Sequence, residues 1–323
     1  MKNIIGMKQK SNKEIYRELC GIEASIPIYS KDWYLDAVCG ENNWNVSLVV
    51  KGNEVFASLP YYIEKKLGLT ILQMPQLTQV LGPWIKYPPD QKYETKLKHE
   101  EKMISELISS LPKFDYFKQK VHYNYVNWLP FYWQGFSQTT NYTYVISDTT
   151  DIEKVFNEFN GSTKRQIKKA EKVLRVAESD DIVKFYEINR MTFERNGKKI
   201  PYSLEFLKKL DDTLKEHDSR KILFAQKGDD IHAVVYFIYD SSSVYYLMGG
   251  IDPKFSSSGA QSLLMWEGIK LASQRNSVFD FEGSMIKPIE RFFRSFGARQ
   301  KNISRISKIN SGFIKLAFTL KGQ

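Results

Sequence analysis

The stretch from Val244 to Gln300 constrains this chain more than any other, because its hydrophobic period changes at each of several small-residue turns. Val244–Met248 (VYYLM) is a short aromatic strand that runs into Gly249-Gly250. Ser256–Gly259 is a polar turn that opens an amphipathic helix over Gln261–Ser273. Val278–Phe281 returns to a period of two and delivers Asp280 and Glu282 to a Gly283-Ser284 turn. A basic helix follows, started by Pro288 and stopped by Gly297. The order is strand, small-residue turn, helix, strand, and the other elements are read around it.

Upstream of that stretch, Asp148–Asp151 is a polar break. Ile152–Phe159 predicts a short helix, and Thr163-x-x-Gln166 matches a capping box that starts a helix to about Arg175. Ile182–Glu194 and Tyr202–Leu214 predict two more, the second with Ser203 as its N-cap. Lys221–Gln226, Ile231–Tyr239 and Val244–Met248 then form an antiparallel meander, and Asn302–Ile309 is a closing strand. The first half follows the same order in weaker form. Helices are expected at Ile15–Cys20 and Lys31–Cys39, the latter capped by Ser30. Trp44–Val50 and Val55–Ile63 are strands joined at Gly52-Asn53, and Pro60 predicts an interrupted or edge strand. After a shaped loop at Met74–Trp84 come a helix at Glu94–Leu111 and strands at Tyr116–Val121 and Tyr142–Ile146, with His122–Tyr132 aromatic and irregular. The polar break divides the chain into residues 1–148 and 149–323. The duplication is one of element order, not of sequence.

Charge separates the halves. Residues 1–148 hold 17 Lys/Arg against 15 Asp/Glu, and residues 149–323 hold 30 against 22. The second half therefore carries most of the net +10 and the field that attracts an anion; nucleotide, phosphate, RNA and anionic lipid would each answer it. Cys20 and Cys39 form no metal or disulfide pattern, the four histidines have no zinc spacing, and the expected setting is a reducing cytoplasm. The first residues lack the apolar run of a signal peptide, and the apolar, lysine-bearing tail is expected to close the fold or to touch a membrane surface.

Several motifs in order resemble the GNAT acyltransferases and their tandem relatives, the Fem-type peptidyltransferases. Asn160–Ala170 (NGSTKRQIKKA) resembles the basic helix that opens the second Fem-type domain. Tyr246–Gly250 followed by Leu263-Leu264-x-Trp266-Glu267-x-Ile269-x-x-Ala272 resembles the strand–helix unit. Phe279–Gly283 and Ile289–Gly297 (IERFFRSFG) resemble the acidic turn and the aromatic stretch after it. The resemblance implies an α/β (α+β) fold of two tandem GNAT-like domains, each a mixed, mostly antiparallel sheet flanked by helices, with residues 1–148 degenerate. It also implies an N-acyltransferase that moves an acyl group from acyl-CoA (acetyl-CoA) or aminoacyl-tRNA to an amine of a cell-envelope or polysaccharide precursor, with no metal. The acceptor would be a small molecule, or lipid- or nucleotide-linked; DNA is not expected, and the protein would be a monomer or dimer. Acetyl-CoA-dependent GNATs show a Gln/Arg-x-x-Gly-x-Gly/Ala turn, whereas Phe255–Ala260 (FSSSGA) lacks the starter and the first glycine. Fem-type relatives use aminoacyl-tRNA and often carry a helical coiled-coil insertion, of which this chain has no heptad trace. A rival of another class is a non-catalytic nucleotide- or RNA-binding protein that uses the charged half and its aromatics.

The candidate site residues each carry two readings. Ser257, Ser258, Gly259 and Ala260 either offer helix N-terminal N–H groups to a phosphate or form a hydroxyl-rich cap. Tyr246, Leu247, Met248 and Gly249 either dock the acyl carbonyl against strand N–H groups or belong to the core. Glu282, and after it Asp280, would accept a proton from the attacking amine if buried, or pair with Arg291 or Arg294 as a structural network. Arg291 and Arg294 would hold an anionic substrate, Lys164 and Arg165 would contact donor phosphates, and Trp84 would line an acceptor cleft, unless they are respectively a solvated face and core.

Overall fold

The computed structural model describes residues 10–320, with side chains to 316. In chain order the elements are α1 (Asn12–Ile22), α2 (Asp32–Cys39), β1 (Trp44–Lys51), β2 (Glu54–Lys66), β3 (Leu69–Gln73), β4 (Trp84–Ile85), α3 (Tyr93–Ser109), β5 (Tyr116–Val121), α4 (Leu129–Trp133) and β6 (Ser137–Ile146). They continue with α5 (Ile152–Glu158), α6 (Gly161–Glu171), β7 (Arg175–Glu178), α7 (Ile182–Arg195), α8 (Leu204–Glu216), β8 (Arg220–Lys227), β9 (Asp230–Tyr239) and β10 (Ser243–Ile251). The last are α9 (Ala260–Gln274), β11 (Val278–Asp280), α10 (Lys287–Arg294), β12 (Arg299–Ile309) and α11 (Gly312–Leu320). Among the described residues no helix is long and apolar enough to cross a membrane.

The chain forms two compact units. One runs to Thr139 and resumes at Ser304; the other is Thr140–Ile303. This differs from the division expected at Asp148, and the reason is strand pairing. The end of β6 pairs with β11 (Val145 opposite Asp280), and Ser304–Ile309 of β12 pairs with β5. Backbone ladders, not the polar break, set the boundaries.

Each unit is built on the same plan. In the first, β1, β2 and β3 form an antiparallel meander, α3 follows, and β5 lies parallel to β3. In the second, β8, β9 and β10 form the meander, α9 follows, and β11 lies parallel to β10. In the second unit β9 is buried on both faces. Val235, Phe237 and Tyr239 enter a core with α9, while Tyr236 meets Phe185 of α7 on the other side. Helix α9 is apolar almost all round because it is buried almost all round. Gly268 lets it come down onto Phe237, whose ring leaves no room for a side chain there.

Local expectations met several corrections. Asn160, not Thr163, caps α6, its carboxamide accepting from the Thr163 N–H. The Thr163 hydroxyl instead donates to Ser295, and Gln166 accepts from Ser262, so both capping-box side chains are taken by tertiary partners. Helix α6 stops at Glu171, and Arg175 begins the edge strand β7. Ser30 lies in a single 3-10 turn, and α2 begins after Lys31, whose ammonium binds the carbonyls of Cys20 and Glu23. Pro60 is neither an edge nor a break: β2 runs through it. On the side away from β1, its place falls between the ladders to β4 and β3, so no partner there needs its missing N–H. Leu129–Trp133 is helical within the stretch expected to be irregular.

Candidate active site

The second unit opens between β10 and β11. The two strands pair in parallel over Ser243–Tyr245 and Val278–Asp280 only, after which β10 continues to Ile251 paired with β9 but not with β11. The far edge of β10 from Tyr246 onward therefore lacks a strand partner and leaves main-chain groups for another use. A bulge between Tyr246 and Met248 twists the strand at the same point.

Helix α7 fixes this free end. Gly250 sits so close to it that a Cβ would stand 2.6 Å from the Asn189 Cα and from the Ile188 carbonyl oxygen. Asn189, itself buried, donates from Nδ2 to the Gly249 carbonyl at 2.6 Å and accepts the Tyr202 hydroxyl at 2.7 Å. Thr192 accepts the Ile251 N–H at 3.0 Å. Met248 packs under the Tyr202 hydroxyl and Leu247 is buried. Asn189 was not among the residues expected from the sequence, where its signal is a polar residue in the buried stripe Ile182, Phe185, Ile188.

The small-residue turn lies at the N-terminus of α9. Ser256 and Ser257 are exposed, Ser258 caps the Ala260 N–H, and Gly259 has φ +79°. The first N–H groups of α9 have no intrahelical acceptor. A Cβ on Gly259 would stand 2.8 Å from the Gln166 carbonyl oxygen, so α6 abuts the turn. The structure thereby brings together the basic helix and the phosphate-turn candidate. Lys164 reaches the Asn157 carbonyl, and Arg165 is exposed in the second turn of α6.

At the end of β11 two carboxyls are buried. Phe279 and Phe281 enter the core as the alternation predicts, but Asp280 and Glu282 are also only 5% and 8% exposed. Asp280 accepts the Thr143 hydroxyl and, at 2.7 Å, the Glu282 N–H. Burial pushes its carboxyl up to about 6, opposed by those two hydrogen bonds. Burial holds Glu282 well above the carboxylate range. Its backbone is left-handed, φ +59°, a conformation that costs a non-glycine residue and that clusters at functional sites. Gly283 continues at φ +64° and lies against β6, where a Cβ would be 2.0 Å from the Tyr142 carbonyl oxygen. Phe293 of α10 contacts both sides of the opening, its ring 5.2 Å from Phe281 and 6.0 Å from Tyr246.

The remaining candidates lie further out. Arg291 and Arg294 are exposed on α10, and Arg294 pairs with Glu290, which also accepts the Tyr144 hydroxyl. Of the two readings offered for Asp280, the pairing with these arginines is not formed: its carboxyl is met by a hydroxyl and an amide instead. Trp84 lies in the other unit, buried, with its indole N–H on Ser25; it is a packing residue of β4.

A mixed sheet whose parallel strands part beside the N-terminus of a buried helix, with carboxyls at the end of the second strand, defines an acyl-transfer domain. Residues 158–286 match the acetyltransferase (GNAT) domain family, and this part of the chain is a GNAT-type acyltransferase domain. Its fold is that of FemX, with a TM-score of 0.70 at 13% identity over 98% of this chain and 99% of that one. L-PGS from Bacillus licheniformis is also similar (TM-score 0.54, 10% identity, 99% and 98% covered). So is a tandem GNAT protein from the clavulanic acid biosynthesis pathway (0.52, 6% identity, 93% and 95% covered). No curated protein matches the chain by sequence.

Proposed function

We propose that this acyltransferase works in the cytoplasm and moves an acyl group from acyl-CoA to an amine of a cell-envelope or polysaccharide precursor. The observation that carries the proposal is Glu282: a buried carboxyl in left-handed backbone, held well above its ordinary range, where β11 leaves β10. The amine nitrogen attacks the acyl carbonyl carbon and a C–N bond forms. The C–S bond breaks, its electron pair leaves with the sulfur, and the proton lost by the amine passes to Glu282. A carboxylate with a raised pKa is a better base than an exposed one, and it suits proton transfer near neutral pH.

The chain's other residues bind and orient. Main-chain N–H groups on the open edge at Tyr246–Gly249, braced by Asn189 and Gly250, suit the carbonyl oxygen, whose negative charge grows during attack. Ser257–Ala260 at the α9 N-terminus, with Lys164 and Arg165 on the adjoining helix, suit the donor's phosphates. Arg291 and Arg294 suit an anionic acceptor. The missing amide or basic starter in Phe255–Ala260, together with the basic α6 beside it, favours a second reading in which the donor is an aminoacyl-tRNA.

The test is calorimetric titration with CoA and acetyl-CoA, followed by Glu282→Gln. CoA should bind, and the variant should lose on the order of 10²–10⁴-fold in turnover with no fall in its melting temperature. The wild-type rate should rise with pH through the raised Glu282 pKa, since the base is the ionised form, and this limb should vanish in the variant. Failure of CoA to bind, with protection by charged tRNA, would replace the donor. Full activity in Glu282→Gln would remove Glu282 from the reaction.

A further inference from the structure

In a regular strand, residues 246 and 249 face opposite sides. The bulge in β10 adds one residue between them, so Tyr246 pairs with Phe237 and Gly249 with Val235, and both turn to the face that carries α9. The Tyr246 ring then lies along the strand over Gly249. A Cβ at Gly249 would stand 2.6 Å from the tyrosine hydroxyl and 3.1 Å from Cε2, so the glycine makes room for the ring. Gln261, in the first turn of α9, donates from Nε2 to that hydroxyl at 3.1 Å. The ring also rests against Phe237 and Phe293, 6.2 and 6.0 Å between centroids. One rigid side chain thus bridges the strand segment suited to the acyl group and the helix turn suited to the donor phosphates. Tyr246 and Gly249 are both half-buried, so the ring is not sealed in the core.

We infer that Tyr246, braced by Gln261, sets the size of the acyl group: it admits an acetyl-sized group beside Gly249 and turns away longer chains. This rests on the acyl-CoA reading above. A methylene that enters an apolar groove gains about fourfold in affinity. With the ring in place the added methylenes meet a wall and gain nothing. The wall is built from three positions that act together: the bulge turns the ring, Gly249 receives it, and Gln261 holds its far end.

The experiment is calorimetric titration of the full chain with CoA, acetyl-CoA, butyryl-CoA and hexanoyl-CoA. It compares wild type, Tyr246→Leu and Tyr246→Phe. Leucine keeps the apolar contact with Phe237 and Phe293 but reaches neither Gly249 nor Gln261; phenylalanine keeps the ring. Wild type should bind acetyl-CoA at least as tightly as the longer donors, and Tyr246→Phe, which keeps the ring but loses the hydroxyl that Gln261 holds, should narrow that discrimination without inverting it. Tyr246→Leu should invert the order, favouring butyryl- over acetyl-CoA by about 15-fold for two methylenes. Free CoA should bind all three alike. Should Tyr246→Leu not fold, Gln261→Ala frees the ring and should narrow the wild-type discrimination; unchanged discrimination there overturns the inference. CoA binding with the wild-type order kept in Tyr246→Leu also overturns it and leaves the donor reading standing. Absence of CoA binding in wild type removes the donor reading and this inference together.

Discussion

Asp280→Asn separates the electrostatics of the acidic turn from its packing. The carboxyl is 5% exposed and its two hydrogen bonds, from the Thr143 hydroxyl and the Glu282 N–H, fall on the same oxygen. A carboxamide oxygen accepts both, so the substitution keeps the contacts and removes only the charge. In the folded chain burial raises the carboxyl to about 6, from an ordinary 3.8. The sign follows from proton counting. Between the unfolded and folded pKa values the folded state holds more protons, so the wild type loses stability as pH rises through that window. The stability is fully present below about pH 4 and lost by about pH 6. A shift of about two units corresponds to about 3 kcal/mol. Asparagine has no such window. The assay is urea unfolding of both proteins from pH 4 to pH 8, read as the difference between variant and wild type. The difference should rise by about 3 kcal/mol across the window and then stay level. Glu282 titrates in both proteins and cancels to the extent that the two groups are independent; repeating the pair in a Glu282→Gln background measures the remainder. A flat difference curve would refute the claim that burial outweighs the two hydrogen bonds at this carboxyl.

Two further substitutions test how the turn and the basic helix are built. Gly283→Ala places a methyl 2.0 Å from the Tyr142 carbonyl oxygen on backbone at φ +64°, and should lower unfolding stability by on the order of 3 kcal/mol or more; a loss below about 1 kcal/mol would mean that β6 does not press on the turn. Asn160→Ala should cost about 1 kcal/mol by removing the cap of α6, visible as a lower denaturation midpoint with unchanged m, whereas a cap at Thr163 would leave that variant within about 0.5 kcal/mol of wild type.

What could be read from the sequence was whatever depends on neighbours along the chain. The alternation of Phe279 and Phe281 with Asp280 and Glu282, the Gly52-Asn53 hairpin and the Ser203 cap are local, and each is formed as the pattern predicts. The order of meander, helix and strand could be read in the second half for the same reason, whereas in the first half Leu69–Gln73, the third strand of the meander, carries no such pattern and was not expected. What could not be read depends on partners far away. Thr163 and Asn160 are both competent caps three residues apart, and the choice falls to Asn160 while the Thr163 hydroxyl is drawn to Ser295, 132 residues on. The acidic turn shows the same limit. Period-two alternation puts both carboxyls on one face but does not say whether that face is wet; both are buried, and β6, from 137 residues earlier, pairs beside β11 and brings Thr143 to Asp280. The bulge at Tyr246–Met248 is equally silent in sequence, since it is a property of the pairing with β9, yet it decides that Tyr246 covers Gly249 while Gly250 meets α7. The two neighbouring glycines read alike in the chain and do opposite things. One makes room for a tyrosine ring on the donor side, and the other lets α7 reach the strand and hold its carbonyl. The chemistry proposed for β10 depends on both, because a strand that positions an acyl group must be shaped on one face and held still on the other.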